Sequence, residues 1–442
     1  MNDLKLITVA GLLSLAALFA NAPAWANDEG FLDPLQGWHV LQPDFDPNHP
    51  LDVIAFEWDY FMIHDDNFAG IVGYVVANPR QRLDNIIQIV PNGANVAFVG
   101  ERRMPEKTVR KCVWFFCWKE TIAAHYQKPV ADYHNLGTAG AQYSAEQRTF
   151  LGGDVNGMFG RMEPLAGGAP DGTDALRLTG RSDHWEWNLL VWQGMQDRNW
   201  QRLAPDAPFT VGSGTDFIPD IPGAQSWTVD ALWPRTNVTG TVIDRRTGEQ
   251  IAIDGKGYRE NSWGRYLLSI DGWDFMVFSE EAETGVLMVM QTYHASDDLD
   301  FVDVSFHDNG QLVSERFSAA DKTVGWWHPD WKWDPEPRSC VPESTRLHLR
   351  NDRYEITAEV EIGDRQRPML SDATIGTTIF FIQEHFPTVS GEIRRVSDGS
   401  LVTTFSGQAG GEFAFHKDIA LVHSDLWCTV WGQSKFYRQL GK

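Results

Sequence analysis

Trp58-Asp59-Tyr60-Phe61-Met62-Ile63-His64-Asp65-Asp66, with Gly70-Ile71 following, aligns without a gap on Trp273-Asp274-Phe275-Met276-Val277-Phe278-Ser279-Glu280-Glu281, with Gly285-Val286 following. Each copy is a β-prone run that ends in an acidic turn and resumes after a glycine, as a hairpin does. A second pair of segments repeats too. Val238-Thr239-Gly240-Thr241-Val242, a turn at Gly248, Gly255 and Glu260 match Val389-Ser390-Gly391-Glu392-Ile393, Gly399, Gly407 and Glu412. One extra residue before Gly407 is the only slip, as a β-bulge produces. Each half of the chain thus opens on a Trp-Asp hairpin and closes on a glycine-punctuated hairpin leading to a glutamate.

Outward from these repeats, strand signals dominate after residue 50, in runs such as Ile71-Val72-Gly73-Tyr74-Val75-Val76 and Tyr354-Glu355-Ile356-Thr357-Ala358-Glu359-Val360. Turn residues punctuate them at short intervals, at Gly248, Asn309-Gly310 and Asp398-Gly399. Such short turns join antiparallel strands only. Two copies are too few for a solenoid or propeller, and closure of a sheet removes its exposed edges. The chain therefore reads as all-β, with two tandem antiparallel β-barrels over residues 50–266 and 267–442.

The first residues read as a targeting signal. Lys5, the apolar run Leu6 to Ala20 and the small-x-small site Ala24-Trp25-Ala26 give a signal peptide over 1–26, followed by an N-terminal extension over 27–49. The expected location is periplasmic or secreted. No later stretch is apolar enough for a transmembrane segment, and no Cys follows the cleavage site. That compartment permits disulfides. Of the three connectivities open to Cys112, Cys117, Cys340 and Cys428, 112 with 117 and 340 with 428 is the simplest.

Charge and composition exclude several functions. The 442 residues carry 37 Lys+Arg against 60 Asp+Glu, a net charge of -23, and no basic run of the kind nucleic-acid binding needs. There is no Gly-x-Ser-x-Gly elbow, P-loop or His-Glu-x-x-His helix, and neither cofactor nor metal is expected. Asp297, Asp298, Asp300 and Asp303 lack EF-hand spacing and read as a hydrated turn. Trp326-Trp327-His328-Pro329-Asp330-Trp331-Lys332-Trp333-Asp334-Pro335 reads as a Pro-fixed surface loop. Asn237-Val238-Thr239 matches a glycosylation sequon but falls in an expected strand. The 19 Trp are rigid and amphipathic, suited to an aromatic core or an aromatic-lined site.

Glu57-Trp58-Asp59-Tyr60, and above all Gly255-x-Gly-Tyr-x-Glu-x-x-Trp-Gly264 after a Val-x-Gly strand, resemble the tandem lipocalin-like proteins. That group includes carotenoid 1,2-hydratases, kievitone hydratase, tocopherol cyclase and lipocalin-like Diels-Alderases. The resemblance implies two lipocalin-like barrels and a small lipophilic substrate. Carotenoid hydratases carry His-x-Trp and, downstream, Tyr-x-Asp. On this chain the Trp falls on Trp233, the Tyr on Tyr258 and the acid on Glu260. Ala231 stands at the His position, and Asn261 where a second His usually follows the acid.

Adding water to an unactivated alkene, or cyclising it, requires a proton delivered to carbon and support for a carbocation. A carboxylic acid kept neutral by apolar surroundings can donate that proton, and aromatic faces can support the cation. Alternation on a strand turns Tyr258 and Glu260 to one face and Arg259 to the other, so both could enter one barrel interior. Tyr258 and Glu260 are the candidate catalytic residues, with Trp233 beside them. Trp58 and its repeat partner Trp273 read mainly as packing residues, Trp58 being a secondary binding candidate. Glu412 reads as a structural remnant. Trp185 and Trp187 share one strand face and His184 the other, and either set could line a cavity. The functional reading is an extracytoplasmic hydratase or cyclase acting on a polyene, terpenoid or polyketide-like molecule. The alternatives are a carrier of an apolar ligand and a carbohydrate-binding or carbohydrate-active β protein.

Overall fold

Both Trp-Asp runs are strands, Ala55–Asp65 and Gly272–Ser279, and each pairs antiparallel with the strand after its acidic turn, Phe68–Ala77 and Leu287–Tyr293. On its other side each pairs with the long strand that ends its half, Glu249–Arg265 and Leu401–His416. The repeated segments are therefore hydrogen-bonded to one another within each half. The computed structural model describes residues 35, 37–41, 55–79, 92–194, 210–211, 226–265, 272–280, 285–293, 301–375, 378–416 and 428. The expected signal peptide and Asp297, Asp298 and Asp300 lie outside them.

The fold is all-β, in two large antiparallel sheets. Among the described residues, thirteen strands between Ala55 and Arg265 form one sheet and eleven between Gly272 and His416 form the other. The first curls nearly closed, and polar groups bond across its interior. Trp187 Nε1 donates to Tyr74 Oη at 3.0 Å, Tyr74 Oη donates to Thr179 O at 3.2 Å, and Trp185 Nε1 donates to Val130 O at 3.0 Å. Among the described residues no helix is long and apolar enough to cross a membrane.

Strand alternation sorts the buried side chains into three bodies. Phe61, Tyr74, Phe98, Phe150, Trp185 and Trp187 fill the first barrel. Met276, Phe278, Trp326, Trp331, Phe405 and Phe413 fill the second. A third cluster joins Trp58, Tyr60, Met62 and Tyr258 of the first sheet to Phe275, Val277, Ile382 and Ala414 of the second. The two sheets thus share a core at their junction. Gly410 permits the approach there, since a Cβ on it would lie 2.9 Å from Met62 Sδ.

Charges are buried with partners inside the first barrel. Arg259 holds Asp59 bidentately at 2.9 and 3.0 Å. Arg148 donates to Glu57 at 2.6 Å, and Glu57 also accepts from Val40 N at 3.0 Å. The segment carrying Val40 plugs this end of the barrel: Trp38 is fully buried, its Nε1 donates to Thr149 O at 2.7 Å, and His39 stacks on Trp263 at 3.9 Å.

Several local expectations meet the structure directly. Both disulfides form as 112–117 and 340–428. The extra residue before Gly407 is Val402: Ile393 faces Thr403 while Arg394 faces Leu401. The expected surface loop at 326–335 is instead built into the second barrel. Trp326, His328 and Trp331 are buried, because His328 Nε2 meets the Asp274 carboxylate at 3.0 Å and its Nδ1 meets the Thr345 hydroxyl at 2.7 Å. Asp303 is no hydrated turn either. It is buried in strand Phe301–Asp308 and bound by Arg316 at 2.8 and 2.7 Å. Asn237 is half-buried and accepts from Lys256 Nζ at 2.6 Å.

Candidate active site

Glu260 lies directly across from Tyr60 on the neighbouring strand, and Glu412 directly across from Phe275. The repeat equates Tyr60 with Phe275 and Glu260 with Glu412, so each half presents an aromatic ring opposite a glutamate. Both pairs turn toward the junction. Tyr60 packs edge-on against Phe275 with ring centres 6.1 Å apart, and Tyr258 packs against Phe275 at 5.9 Å. A third acid joins from strand Thr378–His385, where Glu384 is the cross-strand partner of Glu412.

Hydrogen bonds fix the three carboxyls. Tyr258 Oη donates to Glu260 Oε2 at 2.9 Å, Tyr60 Oη to Glu384 Oε2 at 3.0 Å, and Trp273 Nε1 to Glu412 Oε1 at 2.8 Å. Oε1 of Glu384 and Oε2 of Glu412 are buried without another donor. Glu384 and Glu412 face each other across neighbouring strands, and each shifts the other's titration. A proton carried by Glu384 and accepted by Glu412 would satisfy both carboxyls. The chain then runs Tyr60 to Glu384 to Glu412, with Trp273 donating to Glu412 from the other side.

Three carboxylates cannot all be ionised together in an apolar junction. Burial, reinforced by the Glu412 charge, pushes Glu260 up to about 8 against the lowering effect of the Tyr258 hydroxyl. Burial raises Glu412 to about 7, restrained by the hydrogen bonds from Trp273 and Glu384. Glu384 lies well above the usual carboxylate range through burial and then the Glu412 charge. Near neutral pH the site holds two neutral acids, Glu260 and Glu384, beside Glu412, the most readily ionised of the three. A pair of acids with opposed protonation preferences is suited to moving protons in both directions.

These shifts also predict a stability profile. An acid whose folded pKa is raised gives stability that is complete below its unfolded value of 4.5 and lost as pH rises through its folded value. For Glu260 that window runs from 4.5 to about 8. The melting temperature is expected to fall between pH 5 and pH 8, and to fall less in Glu260→Gln. Equal slopes in the two proteins would show that Glu260 is not held neutral. Glu57 acts oppositely. Its pKa is lowered to about 2 by Arg148 and His39 despite the opposing burial, so its contribution is present above 4.5 and is lost toward 2.

Solved structures to which the chain is similar include the following three. An AttH-assigned protein of Nitrosomonas europaea matches at 13% identity and a TM-score of 0.49, over 89% of this chain and 99% of the other. Kievitone hydratase from Nectria haematococca matches at 12% identity and 0.43, over 83% and 90%. CghA, in complex with Sch210972, matches at 10% identity and 0.45, over 83% and 89%. No protein-family model matches the sequence, and no curated protein matches it.

The structure brings together some of the residues singled out from sequence and separates others. Tyr258, Glu260 and Trp58 meet at the junction, where Trp58 lies 6.3 Å from Tyr60. The face that Tyr258 and Glu260 share is therefore the one turned away from the barrel interior, and Arg259 takes the inward face. Trp233 is on the inner side, beneath the Arg259 guanidinium at 4.7 Å. Trp185 and Trp187 lie in the packed first barrel. His184 sits at the surface, where its Nδ1 and backbone N both meet Asp132 at 2.6 and 2.7 Å. Cys112, Cys117, Cys340 and Cys428 are all bridged.

Glu384 escaped sequence reasoning, although Ile382-Gln383-Glu384-His385-Phe386 places one acid between apolar residues on the same strand face. For Glu412 the signal was the repeat itself, which matches it to Glu260. Elsewhere, Asp132, His134 and Asp183 bring donor atoms within 4.8 Å of one another and could hold a cation. Asp132 is buried, His134 half-buried and Asp183 exposed, and Asp132 is already bonded by Ser182 and His184.

Proposed function

We propose that the junction is an acid-catalysis site that hydrates or cyclises an alkene in a small lipophilic substrate. The observation that carries this reading is the triad of buried Glu260, buried Glu384 and half-buried Glu412, each bound by an aromatic donor and set among apolar rings. A structural ion pair would place a cation beside such acids. Among the described residues the partners are Tyr258, Tyr60 and Trp273 instead.

In the proposed reaction the carboxylic acid of Glu260 transfers its proton to one alkene carbon as the π bond breaks. Positive charge develops on the other carbon, facing Trp58, Tyr60 and Phe275, whose π faces lower its energy. In hydration, water forms the new C–O bond and loses a proton to the Glu412 carboxylate. In cyclisation, a second alkene forms the C–C bond and Glu412 removes a proton from the resulting cation. The Glu384 hydrogen bond stabilises the Glu412 carboxylate before it accepts that proton. Return of the proton to Glu260 completes the cycle, so water or a rearranged skeleton is the only net change.

The Gly-x-Gly-Tyr-x-Glu motif and its resemblance to hydratases and cyclases support the same chemistry, and the sequence at 1–26 supports an extracytoplasmic setting. A carrier reading is less well supported, because aromatic rings and the Asp59–Arg259 pair occupy the first barrel where a calyx would lie. The test is to incubate the mature protein with a panel of isoprenoid polyenes and follow products by mass spectrometry. A product heavier by one water, or an isomer of unchanged mass, formed by the wild type and not by Glu260→Gln, is expected. Products formed equally by both proteins would refute the assignment.

A further inference from the structure

Residues 107–122 form a hairpin that belongs to neither barrel. Its strands, Lys107–Val113 and Phe116–Ile122, pair only with each other. Seven residues per strand make an arm of roughly 23 Å at ~3.3 Å per residue. Its tip is the most apolar exposed surface among the described residues: Trp114 is 91% exposed, Phe115 79% and Phe116 69%, with Val113 and Trp118 beside them. The disulfide between the facing residues Cys112 and Cys117 closes the tip just behind these rings.

Three features separate this tip from ordinary surface. Trp114 has φ of +58°, a left-handed conformation that bulky residues rarely adopt, and it projects the indole outward. The arm is also basic in a chain of net charge -23: Lys107, Arg110, Lys111 and Lys119 stand against Glu120 alone. Finally, Arg110 lies directly across from Lys119. Like charges in that relation weaken a hairpin, so they do not serve its own stability.

We infer that this hairpin docks on an anionic lipid bilayer, with Trp114, Phe115 and Phe116 entering the interface and Arg110, Lys111 and Lys119 meeting the headgroups. Trp and Phe rings are suited to the interfacial zone, and cations just behind them gain from negative surface charge. The tip is convex and exposed on both sides. A bilayer can cover such a shape without a matching groove.

The probes are vesicles of phosphatidylcholine alone and of phosphatidylcholine with about one-third phosphatidylglycerol, used in co-sedimentation with the mature protein. Binding to the anionic vesicles, weakened by salt, is expected. A nearby cation is worth about fivefold in membrane partitioning, so Arg110→Gln, Lys111→Gln and Lys119→Gln combined should lower it by roughly 100-fold. Trp114→Ser, Phe115→Ser and Phe116→Ser combined should lower it by roughly tenfold or more. Both variants should melt with the wild type, because the hairpin packs on neither core. Failure of the wild type to bind either vesicle, or unchanged binding in both folded variants, would overturn the inference. So would a dimer in gel filtration that only the serine variant abolishes, since the tip would then cover a second copy of the chain.

Discussion

Glu260→Gln is expected to lower turnover by roughly 10²–10⁴-fold, the range for loss of a general acid, while its melting temperature at pH 7 stays level or rises. Glutamine keeps the shape of the neutral acid and can still accept the Tyr258 hydroxyl at Oε1, but it has no proton to give. It also removes a group whose ionisation burial opposes. The pH profile carries the same logic. Activity needs protonated Glu260, so the rate should fall on the alkaline side through about 8. Tyr258→Phe removes the hydrogen bond that lowers the Glu260 pKa, so this limb should move to higher pH. A limb that moves lower, or a Gln variant with wild-type turnover, would take Glu260 out of the reaction.

Arg259→Met is the second large effect, and it acts on stability. Arg259 and Asp59 are both fully buried, and the guanidinium is sandwiched near Trp233 at 4.7 Å and Phe61 at 5.6 Å. Methionine fills much of the space but leaves Asp59, among the described residues, with Arg148 Nε, 3.4 Å away, as its charged partner. Breaking a buried pair from one side costs about 3–5 kcal/mol, because the remaining charge stays out of water. The urea midpoint of the first unfolding transition should fall accordingly. Adding Asp59→Asn should recover part of the loss. A single variant as stable as the wild type would mean that water or another cation reaches Asp59.

Much of the fold is legible in the residues themselves. The gapless match of Trp58–Asp66 to Trp273–Glu281 gave the tandem arrangement, and the single slip before Gly407 marked the bulge now seen at Val402. Alternation put Tyr258 and Glu260 on one face. Which face that is depended on where the other half of the chain packs, a long-range contact with no trace in local pattern. The same limit hid Glu384, which accepts from Tyr60 across 324 positions of sequence, and the burial of Trp326, His328 and Trp331, where His328 meets Asp274 across the sequence. Trp233 illustrates the converse: its place in a family pattern is visible in sequence, but the side chain lies behind Arg259 on the inner face.

The central claim is that the junction keeps Glu260 neutral near pH 7 beside a Glu412 that ionises first. Glutamate side-chain carboxyls labelled with ¹³C and followed by NMR against pH test it directly. Buried signals should titrate near 8 and near 7, with Glu101, which burial also raises to about 7, adding its own signal there; the signal near 8 should disappear in Glu260→Gln and one of those near 7 in Glu412→Gln. If every glutamate signal instead titrates at or below about 5, the ordinary range for this side chain, the junction holds no neutral acid and the proposed proton donor does not exist.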